Sequence, residues 1–172
     1  MKDPQVAKVH ELLDNFDTVM LITQSRGQFA HARPMAVARL ESDGGVWFLT
    51  GRTSVKVNEI KDESQVLIAC QEGRSRFLSL IGTAELVSDQ SKAREFWSEA
   101  YRTWFPGGPE DPNLVLIFVH PTEAEYWDNQ GSNGIRYVFE AAKAYVTGTT
   151  PHIQEGQQHA KVEMEHGYGG RS

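Results

Sequence analysis

Two neighbouring runs constrain this chain more than any other feature: His31-Ala-Arg-Pro-Met-Ala-Val37 and Trp47-Phe-Leu-Thr-Gly-Arg-Thr-Ser-Val-Lys56. The first alternates with a period of two, placing His31, Arg33, Met35, Val37 and Arg39 on one face of a strand. The second is an apolar strand that stops at Gly51 and enters a short helical pattern carried by Val55, Val57 and Ile60. Thr53 and Ser54 stand at its N-cap. A helix start leaves backbone N–H groups unpaired and carries partial positive charge, so it suits a phosphate. Lys56 falls in that first turn, where a cation is unfavourable unless an anion accompanies it. Arg33 on the neighbouring strand could add a bidentate grip on the same oxygens. Together they read as a phosphate clamp, against the plainer reading of two solvated surface charges.

The rest of the pattern supplies short strands and turns. Asp3 and Pro4 open a helix with Val6, Val9, Leu13 and Phe16 on one face. Thr18 to Thr23 reads as a strand, Gln24 to Gly27 as a turn, and Ser42-Asp-Gly-Gly45 as a second turn. Strands follow at Val46 to Thr50, Gln65 to Gln71 and Arg76 to Val87, the last interrupted at Gly82 by a bulge. Ser88 and Asp89 cap a second helix with Trp97, Ala100, Tyr101 and Trp104 at helical spacing, ended by Pro106-Gly-Gly-Pro109. Leu114 to Val119 and Glu123 to Asp128 read as closing strands joined across Pro121. About six short strands separated by turns suggest a closed or nearly closed antiparallel barrel. Residues 1–130 make that unit, 131–146 a packing helix or extension, and 147–172 a polar, mobile tail.

These runs, with Glu125-Tyr-Trp-Asp128, resemble the pyridoxamine 5′-phosphate oxidase-like flavin-binding split barrels, and within them the bacterial general stress protein branch. The matching elements span roughly residues 5 to 130. The resemblance implies a mainly β, α+β fold: an antiparallel split β-barrel with peripheral helices. It also implies a homodimer that holds FMN, or FAD, where two subunits meet. Arg33 and Lys56 would neutralise the phosphate, and Ser54 would hydrogen-bond it. Pro34, Met35, Leu49 and Thr50 would line the ring. Trp127, at a strand end, would lie against the isoalloxazine, or is a half-buried rim residue. The activity implied is that of an FMN-dependent oxidoreductase; a flavin-storing or flavin-sensing protein is the alternative. Pyridoxamine phosphate oxidation is disfavoured, because members with that activity end in Arg-Leu-x-Pro and this chain ends Tyr168-Gly-Gly-Arg-Ser172. A deazaflavin in place of FMN stays open.

Composition bounds the partners. A formal charge of −6 and a pI near 5.5 argue against nucleic acid. No apolar run is long enough to span a bilayer, and the polar opening Met1-Lys-Asp-Pro-Gln5 does not read as a signal peptide. One cysteine, Cys70, excludes an internal disulfide and fits a cytoplasmic protein; its apolar neighbours make it a core residue. His152, His159 and His166 lack the close spacing and partners of a zinc site, so no metal is expected. His31 is the histidine to watch, as a neighbour of the cofactor.

Overall fold

Pro4 occupies the first position of helix α1 (Pro4–Leu13), where its missing N–H costs nothing, and Val9, Leu12 and Leu13 face inward. The computed structural model describes residues 4–129 and 159–164. After α1 come β1 (Thr18–Thr23), β2 (His31–Ala36), β3 (Arg39–Leu40) and β4 (Val46–Gly51). Helix α2 (Val55–Asp62) leads to β5 (Gln65–Glu72) and β6 (Arg76–Val87), then helix α3 (Gln90–Phe96), β7 (Leu114–Asp128) and β8 (His159–Glu163). All pairings are antiparallel, in the order β2-β1-β5-β6-β7-β4-β3, with β8 also on β7.

Two consecutive residues close this sheet on itself. Val37 N–H donates to Asp17 O on the β1 side, and Ala38 N–H donates to Trp47 O on β4, each at 2.9 Å. The run from His31 to Leu40 therefore borders both ends of the strand order, which curls the sheet into a split barrel. Pro34 is compatible with β2 because, among the described residues, that strand pairs only with β1. Gly82 marks the expected bulge: the β6–β7 register shifts there, and a Cβ would stand 2.3 Å from His120 O.

Two apolar clusters sit on opposite faces of β4. Phe48 joins Val9, Leu12, Leu21, Ile68 and Leu80 inside the barrel. Trp47 and Leu49 join Phe96, Phe105 and Leu116 outside it, beneath the segment that links β6 to β7. That second layer is why β4 is buried at every position from Val46 to Thr50 rather than alternately. Cys70 is buried, and burial pushes its thiol up to about 12, as a core position requires.

The sequence reading needs three corrections. The second helix is not continuous: Asp89 caps α3, but Trp97 is extended and a separate 3₁₀ turn runs from Glu99 to Thr103, capped by Ser98. A local hydroxyl competes here with the helical ladder. The strands at 114–119 and 123–128 are one strand, β7; Pro121 falls where its neighbour changes from β4 to β8. Finally, the tail expected to be mobile contains β8, whose Ala160 and Val162, with Met164, are buried against the barrel. Alternation over five residues sufficed once β7 offered an unpaired edge. The helix or extension expected at 131–146, and His152 and His166, lie outside the described residues. Among the described residues no helix is long and apolar enough to cross a membrane.

Candidate functional site

A cavity of about 440 Å³ opens where β2, β4, the start of α2 and the β6–β7 segment meet. Strand β2 contributes Pro34, Met35 and Ala36, and β4 contributes Leu49, Thr50 and Gly51. The turn into α2 adds Thr53, Ser54 and Lys56. Tyr101, Trp104, Phe105 and Asn113 come from the outer segment. One end is polar and the other apolar and aromatic.

The polar end is organised by the start of α2. Ser54 is its N-cap, yet the serine side chain does not cap the helix; its hydroxyl lies 3.4 Å from Thr50 Oγ1. Lys56 Nζ donates to Thr50 Oγ1 at 3.1 Å. Among the described residues no carboxylate forms an ion pair with Lys56. Burial, and then the nearby Arg33 charge, lower its pKa below the usual lysine range, while Glu59 opposes them. No acidic residue occupies the first turn of α2. The arrangement concentrates positive potential with no protein anion in contact to balance it.

Asn113 fixes the turn that precedes the helix. Its Oδ1 accepts from Thr53 N–H and Thr53 Oγ1, both at 3.4 Å, and its backbone carbonyl accepts from Arg52 N–H at 2.7 Å. Gly51 permits this approach, since a Cβ there would lie 2.9 Å from Asn113 Nδ2. Nothing local in sequence points to a contact across sixty residues.

Beside the cavity lies a buried polar cluster built on Glu59, which is 4% exposed. Arg33 Nη1 reaches Glu59 Oε2 at 2.8 Å and Nη2 reaches Oε1 at 3.1 Å. Thr23 Oγ1 donates to Oε2 at 2.6 Å, and His31 Nδ1 lies 2.7 Å from Oε1. Burial alone would raise the Glu59 pKa; the hydrogen bonds from Arg33, Thr23 and His31 outweigh it and hold the carboxyl at about 2.

Of the residues the sequence singled out, Pro34, Met35, Leu49, Thr50, Ser54 and Lys56 meet in the cavity. Arg33 stands next to it, engaged with Glu59 and Thr23. Trp127 does not line the cavity of its own chain; on β7 it stacks on His159, ring centroids 5.1 Å apart. Tyr101, Trp104, Phe105, Asn113 and Glu59 were not singled out. The two tryptophans at 97 and 104 read alike in sequence, and only the helix break separates their roles. Among the described residues there is no cluster of metal-ligating side chains.

A family model described as pyridoxamine 5′-phosphate oxidase like matches residues 4–152 of the chain. The chain belongs to that family. Within it, the fold is similar to a protein from Jannaschia sp. CCS1 assigned as general stress protein 26: TM-score 0.67, 26% identity, 91% of this chain and 96% of the other. A general stress FMN/FAD binding protein from Xanthomonas citri is also similar, with TM-score 0.63 and 28% identity over 74% of this chain and 91% of that one. Among sequences, protein bli-3 of Neurospora crassa is 25% identical over 164 residues, 90% of this chain and 78% of its own length. Both of these solved structures are of proteins described as general stress proteins.

Proposed function

We propose that the cavity binds FMN, with the phosphate at the start of α2 and the ring along the apolar wall. The observation that carries this reading is Lys56, a half-buried ammonium in the first turn of a helix, bonded to one hydroxyl and to no carboxylate. The donor set fits the group. Lys56, the Ser54 hydroxyl and the first-turn N–H groups would hold a phosphate. Arg33 adds its charge from beside the site, and Pro34, Met35, Leu49 and Thr50 line the ring. FAD is the alternative, since it shares both the ring and the first phosphate. The similar Xanthomonas citri protein, described as FMN/FAD binding, supports a flavin.

When bound, the flavin supplies redox chemistry, and the protein supplies binding and orientation. An oxidoreductase role follows if a donor reaches the ring. A storage or sensing role is favoured by one observation: among the described residues, the titratable side chains lining the cavity are Lys56 and Tyr101, with no carboxylate, imidazole or thiol. We further propose that the chain is a cytoplasmic homodimer. Exposed Phe29 and Val55 are apolar surface that a second copy would cover. Trp127 would contact a ring only in that assembly.

The test compares FMN with riboflavin, which has the ring and no phosphate. Lys56→Ala should weaken FMN by about 1.5–3 kcal/mol, roughly tenfold to a hundredfold or more, and leave riboflavin unchanged. Equal loss for both ligands, or none for either, would move the phosphate elsewhere.

A further inference from the structure

Tyr101 and Trp104 line the cavity but have no part in the anion site. Both stand on the Glu99–Thr103 turn and its C-cap. Ser98 caps the turn, Arg102 pairs within it with Glu99 at 2.6 Å and lies over the Trp97 ring, and Phe105 is buried behind it. Trp104 is nevertheless 69% exposed. The indole N–H groups of Trp47 and Trp97 donate to Glu41 and Glu99 at 2.8 and 3.1 Å. Trp104 donates to none of the described residues, and the hydroxyl of half-buried Tyr101 has no hydrogen-bond partner among them either. Burial raises the Tyr101 pKa, which keeps that hydroxyl a donor at neutral pH. An aromatic wall furnished with two unused donors suits a flat ligand with polar groups on its edge.

We infer that Tyr101 and Trp104 are the residues that select the ring of the ligand, a flat heteroaromatic with hydrogen-bonding groups on its edge. The indole face stacks on such a ring, and the indole N–H and phenol hydroxyl read its polar edge. Ring and anion are thereby recognised by separate groups, the ring by the outer segment and the anion by α2. This rests on the reading of the cavity as a flavin site and assigns its ring contacts within one chain.

The test titrates the full-length chain with riboflavin and with FMN, following flavin fluorescence. Trp104→Ala should weaken both ligands by the same factor, about tenfold, so that the ratio of the two affinities stays that of the unaltered chain. Trp104→Phe, which keeps a ring and loses the N–H, should recover part of that loss, and Tyr101→Phe should weaken both ligands together. Trp104 is exposed, so an unchanged melting temperature should accompany these effects. Riboflavin affinity unchanged in both Trp104→Ala and Tyr101→Phe overturns the inference while leaving FMN binding at Lys56 intact. An unaltered chain that binds neither flavin overturns the underlying reading, and this inference with it.

Discussion

Arg33 and the buried Glu59 form a two-pronged ion pair that ties β2 to α2, with N–O distances of 2.8 and 3.1 Å. Lys56 stands three residues before Glu59, one turn earlier on the same helix, so the pair also sets where the Lys56 ammonium sits. Arg33 is neutralised and Lys56 is not. At the proposed anion site, Arg33 would act mainly by holding α2 in place.

The pair gives stability a defined pH dependence. The folded Glu59 carboxyl is held at about 2, below its ordinary value of 4.5. A group with a depressed folded pKa stabilises the protein fully above its unfolded pKa and loses that contribution as pH falls through the folded one. Urea unfolding should therefore show stability declining between about pH 5 and pH 2. Glu59→Ala, which leaves the partly buried Arg33 without its carboxylate, should cost about 1–3 kcal/mol at neutral pH and flatten the decline. An unchanged pH profile in the variant would assign the acid sensitivity to other carboxylates.

Lys56 predicts an effect at the other end of the scale. Its pKa lies below the usual lysine range because of burial and the Arg33 charge. Its positive charge is lost at a lower pH than that of an exposed lysine. FMN affinity should fall correspondingly early on the alkaline side, while riboflavin affinity shows no such step. Parallel titrations at a series of pH values check this; a common profile for both ligands would remove Lys56 from the phosphate.

Strand β8 predicts that the end of the chain contributes to stability. It covers the β7 edge from Glu123 to Trp127 and buries Val162 and Met164 at 2% and 5% exposure. Burying two such side chains contributes about 3–6 kcal/mol. Deletion from His159 onward should lower the melting temperature by at least about 6 °C. A midpoint within error of the full chain would show that β8 adds nothing to the barrel.

Sedimentation equilibrium tests the proposed homodimer. Twice the 19.3 kDa chain mass is expected at micromolar concentration with flavin present. Val55→Glu, which places a charge on that exposed apolar surface, should shift the equilibrium toward monomer. A 19.3 kDa species alone would count against the assembly.

The features legible in sequence were those set by neighbours along the chain. Alternation put His31, Arg33 and Met35 on one face of β2, the Thr53-Ser54 pair announced the start of α2, and Gly82 announced a bulge. Each is a matter of backbone geometry or of a cap within a few residues. Lys56 was legible for the same reason, as a cation in the wrong turn of a helix.

Tertiary structure alone decided what each of these faces. Periodicity gives a side chain its direction but not its partner, so Arg33 pointed inward toward either an anion or a carboxylate, and Glu59 settled the matter from α2. Asn113 reached Thr53 across sixty residues, and Ser98 turned Tyr101 and Trp104 off the helix that their spacing suggested. The five residues of β8 became a strand because β7 had an open edge to satisfy. Hydrogen-bonding groups and charges are matched through space, and short polar segments take their structure from the surface they meet.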